Sequence, residues 1–137
     1  MVEASRIAEI LGVRARSMSD LSHQVEQGLP KQALLRVAKR VSVKRGEAGK
    51  FLVKVVPSAT FKRRVRLSLP ESERTERLAR VIASAEYVWD DRNDAREWLT
   101  TPHPELDNKT PLQVALTELG ARRVEAVLDQ IMYGLPA

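Results

Sequence analysis

Four cationic side chains, Lys62, Arg63, Arg64 and Arg66, crowd the stretch S-A-T-F-K-R-R-V-R that follows Pro57. The chemistry open to such a cluster is attraction of phosphate, because lysine and arginine displace the counterions condensed on a nucleic-acid backbone. Ser58 and Thr60, at the start of the stretch, add hydroxyls that can reach phosphate oxygens or base edges. Groups able to break covalent bonds are scarce. His23 and His103 stand far apart, and neither sits in the nucleophile, base and carboxylate arrangement of a hydrolase, so both read as incidental surface residues. The chain has no cysteine, which excludes a disulfide scaffold, a thiolate zinc site and a cysteine nucleophile together. Its 6 glycines are scattered as caps and turns, so no phosphate-cradling loop is present. Asp90, Asp91 and Asp94 lie close together but read as capping charges rather than metal ligands. No catalytic residue, metal site or cofactor is assigned, and the chain is read as a non-enzyme.

Those cations belong to a lopsided chain. Residues 1–70 hold 15 Lys/Arg against 5 Asp/Glu, a balance of +10, whereas residues 71–137 hold 8 against 13, a balance of −5. A basic half suits nucleic acid and an acidic half suits a protein partner, although two solvated faces would give the same totals. At 137 residues, 43% hydrophobic and 30% charged, the chain can build one core or two very small ones. No apolar run approaches the roughly 18 residues of a membrane span. Arg6, Glu9, Arg14 and Arg16 interrupt any leader-like stretch, so a soluble cytoplasmic protein without membrane contact is expected.

Seven or eight short helices must position these residues, as read from apolar period and capping signals. Ile7, Ile10 and Leu11 make one stripe, stopped by Gly12. Ser19 caps a second segment carrying Leu21 and Val25, which ends at Gly28. Pro30 fits the first turn of a third, with Leu34, Val37, Ala38 and Val41 inward. The run Phe51–Val56 is β-branched, yet Ala48, Phe51, Leu52 and Val55 fall on one helical face, and no partner strand is visible; helix is the better reading. Ser58 is expected to cap a helix over Ala59–Arg66 with Phe61 and Val65 inward. Helix, tight turn at residues 55–57 and basic helix is the layout of a helix-turn-helix; the alternatives are an exposed basic face or a surface for an acidic protein. Pro70 opens the longest helix, with Leu78, Val81, Ile82, Ala85 and Trp89 as its stripe. Asn93 is expected to cap a helix bearing Ala95, Trp98 and Leu99, and residues 100–110 form a loop in which Asp107 and Asn108 tolerate turn geometry. Thr110 and Pro111 start a helix expected to stop at Gly120, and a last helix carries Val124, Val127, Leu128 and Ile131 up to Gly134.

The tract from residue 85 onward carries the most specific pattern: Ala95, Trp98–Leu99, Pro102, Leu106, Pro111–Leu112, Leu116, Gly120, Val124, Leu128 and Gly134. In order and spacing it resembles the C-terminal toxin-binding domain of MbcA/ParS/Xre-type antitoxins. Upstream, G-L-P-K-Q-A-L-L-R-V-A and P-S-A-T-F-K-R-R resemble the helical start and the helix-turn-helix end of the same family, so the resemblance spans roughly residues 28–137. Asp107 and Asn108 stand where the family often has glycines, and the turn between Val41 and Gly49 is more basic than the pattern. The matched positions are apolar or backbone-setting, and would pack three short helices around Trp98. Burying such an aromatic removes about 150–250 Å² from water.

The resemblance implies an all-α protein: a small helical bundle with a helix-turn-helix-like N-terminal region over residues 1–67 and a C-terminal toxin-binding domain over residues 68–137. It implies an antitoxin of a type II toxin–antitoxin system, inhibiting a RES-domain toxin that consumes NAD or transfers its ADP-ribose, and repressing its own operon. The partners are then that toxin, operator DNA, and a second copy in a homodimer within a hetero-oligomer. DNA contacts are expected from Ser58, Thr60, Lys62, Arg63, Arg64 and Arg66. Toxin contacts are expected on the last helix and tail, from Arg122, Arg123, Gln130, Tyr133, Gly134, Leu135, Pro136 and Ala137, with Tyr133–Ala137 entering or covering the NAD pocket. A helix-turn-helix regulator without a toxin is the main competing reading, followed by an unrecognised enzyme or an adaptor.

Overall fold

The computed structural model describes residues 2–134. Among these, nine α-helices and one 3-10 turn account for the regular structure, with only two isolated β-bridges. The helices are α1 (Ala4–Leu11), α2 (Met18–Gln27), α3 (Lys31–Arg40), α4 (Glu47–Val55), α5 (Ser58–Arg63), α6 (Leu69–Trp89), α7 (Arg92–Leu99), α8 (Pro111–Val114) and α9 (Glu118–Tyr133), with the 3-10 turn at Pro104–Leu106 before α8. The all-helical class and the helical reading of residues 51–55 hold. None of the described helices is long and apolar enough to cross a membrane.

Helix α6 is the axis of the molecule. Its 21 residues span about 30 Å at 1.5 Å each. It packs against α1, α2, α3 and α4 on the N-terminal side and against α7 and α9 on the other. Leu78, Ala79, Val81, Ile82 and Ala85 are buried along it. The start is sharply specified: the Ser68 hydroxyl accepts from the Glu71 amide, and the Glu71 carboxylate accepts from the Ser68 amide, a reciprocal capping box with Pro70 just inside. Trp89, expected inward, lies at the solvent edge, because the helix ends there and Asp90 turns the chain in the left-handed region.

Several caps fall one or two residues from their expected places. Ser17, not Ser19, caps α2 by accepting from the Asp20 amide. Pro30 is itself the residue before the first turn of α3. Asp91, not Asn93, caps α7 by accepting from the amides of Asn93 and Asp94. For α2 and α7 a competing hydroxyl, carboxylate or amide stands nearby, and tertiary packing decides which is used.

Two corrections are larger. Helix α5 stops at Arg63 rather than Arg66, Pro57 rather than Ser58 precedes it, and Ser58 makes no capping hydrogen bond. Residues 64–67 run extended instead, because they pair with the end of α2 and the start of α3. The Leu67 amide donates to the Leu29 carbonyl at 2.8 Å, the Lys31 amide to the Val65 carbonyl at 3.4 Å, and Pro30 bridges Arg66. That crossing needs Gly28, whose φ is +90° and whose added Cβ would stand 2.6 Å from the Leu67 carbonyl oxygen. Val65, expected inward, is consequently 82% exposed, and Leu67 takes the buried place.

The second correction concerns Gly120. It ends no helix: α8 has only 4 residues, Thr117 caps α9, and Gly120 lies inside α9. A Cβ there would stand 1.7 Å from the Val114 carbonyl oxygen, so the glycine permits α8 and α9 to touch backbone to backbone. Helix α7 packs mainly on α6, and also on α8. Trp98 is buried, 9% exposed, with the His103 ring stacked on it at 5.1 Å between centroids. His103 is therefore no incidental surface residue; its Nε2 also lies 3.0 Å from the Trp98 carbonyl.

Two substitutions test this packing. Trp98→Ala is expected to lose about 3–5 kcal/mol, a large part of a small domain's stability. Gly120→Ala is expected to lose about 3 kcal/mol or more, since backbone rather than a movable side chain blocks the added methyl. Urea denaturation followed by circular dichroism measures both, and wild-type midpoints would contradict the packing described.

Candidate functional site

The six residues predicted to meet DNA divide into two groups in space. Ser58, Thr60, Lys62 and Arg63 lie on α5, where Lys62 and Arg63 are exposed and make no salt bridge among the described residues. Arg64 and Arg66 border the same cleft as Lys62 and Arg63, but each also makes hydrogen bonds within the fold. The Arg64 guanidinium donates from Nε and Nη2 to the two oxygens of Glu71, at 3.1 and 3.2 Å. Arg66 donates from Nη1 to the Gly28 carbonyl at 2.8 Å. The Glu71 carboxylate is nearly buried, and burial alone would raise its pKa. The Ser68 amide and Arg64 outweigh that and hold it below the ordinary carboxylate value.

Lys31 escaped sequence reasoning. It lies 27 positions before the start of α5, yet the bridge between Pro30 and Arg66 brings it to the same cleft as Lys62 and Arg63. Its ammonium stands 5.2 Å from the centre of the Phe61 ring, which orients it without neutralising it. No local pattern could have found it, because the pairing that places it is long-range.

On the acidic half, the predicted contacts also separate. Arg122 and Tyr133 border a shallow groove between α9, α6 and the N-terminal helices, where Met18, Tyr87 and Met132 are exposed. Tyr133 is 65% exposed. Arg123, one residue and about 100° further round the helix, faces the 3-10 loop and pairs with Asp107 at 3.1 Å. Gln130 is half-buried and does not border the groove. Gly134 ends α9 in the left-handed region, as its position predicts. Leu135, Pro136 and Ala137 lie outside the described residues.

The groove rests on an ionic seam between α6 and α9. Arg77 donates to Glu118 at 2.9 Å and Arg80 to Glu125 at 2.7 Å, with Glu118 shared between them. Burial would raise the Glu118 pKa, but Arg77 and Arg80 lower it overall. Glu76 is the exception. Burial pushes its pKa up, Arg80 compensates only at 3.7 Å, and one of its oxygens has no hydrogen-bond partner. Among the described residues no cluster of three His, Asp or Glu side chains could hold a metal ion. Asp91, one of the three neighbouring aspartates, is a helix cap.

These features define an all-helical protein in which one long helix, α6, joins the N-terminal helices to a helical C-terminal unit. The comparisons agree. Residues 20–80 match the antitoxin Xre-like helix-turn-helix domain, and residues 84–134 match the antitoxin Xre/MbcA/ParS C-terminal toxin-binding domain. The curated Antitoxin Xre of Pseudomonas putida is 34% identical over 84 residues, covering 58% of this chain and 53% of that protein. The chain thus spans about half the length of the curated relative it matches. In both matched regions the chain is similar to the Xre/MbcA/ParS-type antitoxins.

The seam gives a pH prediction. Glu71 and Glu118 titrate below their unfolded values, so their stabilisation is present above those values and is lost as pH falls through the folded ones. Glu76 has the opposite sign: its contribution is complete in acid and is lost as pH rises through its raised folded pKa. Glu76→Gln is therefore expected to raise the melting temperature at neutral pH, with the gain shrinking towards about pH 4. Calorimetry at both pH values checks this, and a mutant less stable than wild type at pH 7 would show that Arg80 outweighs the burial of Glu76.

Proposed function

We propose that this protein is the antitoxin of a type II toxin–antitoxin pair. It silences a RES-domain toxin, an enzyme that consumes NAD or transfers its ADP-ribose, and represses its own operon as a homodimer bound to DNA. The observation that carries this reading is the presence, in one chain, of an antitoxin helix-turn-helix domain and an antitoxin toxin-binding domain. Two further features support it. Lys62 and Arg63 stand unpaired on α5, which is short enough that pairing two copies on a two-fold site would multiply its contacts. The exposed face of α9, with Arg122 and Tyr133 beside an apolar groove, offers a surface of the composition that protein partners use.

In this reading DNA is met by residues 1–67 and the toxin by residues 68–137, a division of surfaces rather than of cores. The protein acts stoichiometrically in the cytoplasm and transforms no substrate. The test is co-expression with the product of the adjacent gene. A stable complex in gel filtration, and suppression of that enzyme's NAD turnover at near-equimolar ratio, are expected. The double variant Arg122→Glu, Tyr133→Ala is expected to stay folded and still shift operator DNA, but to inhibit at least about tenfold less well. No complex and unaltered NAD turnover would leave a DNA-binding regulator without a toxin.

A further inference from the structure

The basic cleft divides its cations by the company they keep. Arg64 looks, in sequence, like one more phosphate contact. In space its two donors meet both oxygens of Glu71, a residue only 6% exposed, and the same carboxylate accepts from the Ser68 amide at 2.8 Å to start α6. Glu71 is thus a junction. One side fixes the first turn of α6, and the other grips the residue that directly follows α5. Such a bidentate pair fixes orientation as well as distance, which a lysine cannot do. Lys31 faces the cleft that Lys62, Arg63, Arg64 and Arg66 also line, with the Phe61 ring beside its ammonium; unlike Arg64, it has no salt bridge among the described residues.

We propose that Arg64 is a positioning residue, clamped by Glu71 to aim α5 from α6, and that Lys31 takes the phosphate-binding role that the sequence suggests for Arg64. The proposal rests on the DNA-binding part of the function above. It separates two effects that one affinity measurement would confuse. A phosphate contact adds about one unit to the slope of log K against log salt, whereas a clamp changes affinity at every salt concentration and leaves the slope alone.

The experiment titrates duplex DNA from upstream of the protein's own gene, at several salt concentrations. Lys31→Ala is expected to lower the slope by about one unit. Arg64→Ala and Arg64→Lys are both expected to weaken binding by about tenfold, with the wild-type slope. Lysine is an adequate phosphate contact, so wild-type binding by Arg64→Lys would overturn the clamp, as would a reduced slope in Arg64→Ala. A wild-type slope in Lys31→Ala would overturn its assignment. A second measurement needs no DNA. Glu71→Gln keeps a residue suited to the capping box but removes the charge that grips Arg64. Amide exchange across α5 should then quicken about tenfold in Glu71→Gln and in Arg64→Lys, and unchanged exchange would overturn the clamp. If wild-type protein fails to bind DNA while exchange behaves as expected, the DNA-binding reading falls and the clamp stands.

Discussion

Helix α6 is surrounded by other helices, and several of its charged residues find partners outside it. Glu71 meets Arg64, Glu86 takes both ends of the Arg40 guanidinium at 2.8 Å, and Arg77 and Arg80 face Glu118 and Glu125 on α9. Each pair ties α6 to a different part of the chain: the segment after α5, then α3, then α9. The most covered members, Glu71 and Glu86, are the ones whose loss of a partner would be felt most, because a shielded charge left unpaired is destabilising. Apolar burial supplies the driving force, and the pairs fix which faces of α6 meet which neighbours. Glu76, where burial outweighs the attraction of Arg80 and Arg77, shows what happens where the pairing is incomplete: its proton is retained more tightly.

Much of this was legible along the chain. The apolar stripes of α1, α3 and α9 are local patterns of period 3.6, and glycines such as Gly12 and Gly134 mark helix ends by their left-handed geometry. What was not legible depends on distant residues. Nothing within residues 58–66 announces that α5 must stop at Arg63, since the cause is pairing with residues 29–31. Gly120 has the sequence signature of a helix stop, and only the proximity of Val114 shows that it is a contact point. The partners of Arg40 and Arg80 lie about forty-five residues away, beyond any local pattern.

The same distinction explains why the family could be recognised from residues that do not act on partners. Ala95, Leu99, Leu106, Leu112, Val124 and Leu128 are all buried, and Gly120 is a packing requirement. A pattern of core positions constrains spacing tightly, because each side chain must reach the same interior. Surface residues are held by no such rule, so the α9 face with Arg122 and Tyr133 leaves little trace in the pattern. Fold and family are therefore the readable part of this sequence, and the contacts are the part that needs geometry.

Charge illustrates the point most sharply. The +10 balance of the first seventy residues invites the inference that the whole half is a DNA surface. Yet the arginines and lysines of this chain have different employments. Arg36 caps the end of α1 through the Glu9 and Ile10 carbonyls, Arg40 is locked to Glu86, and Arg64 and Arg66 brace the segment after α5. Among the described residues no lysine side chain makes a hydrogen bond or salt bridge. The reason is chemical: a planar fork with several fixed donors can satisfy carbonyls and carboxylates inside a fold, whereas a strongly hydrated ammonium on a flexible stem gains little there. Charge available to a phosphate backbone is therefore a smaller quantity than net charge. In the first seventy residues it is held by the lysines together with exposed arginines such as Arg14, Arg16, Arg45 and Arg63, whose side chains make no hydrogen bond or salt bridge among the described residues.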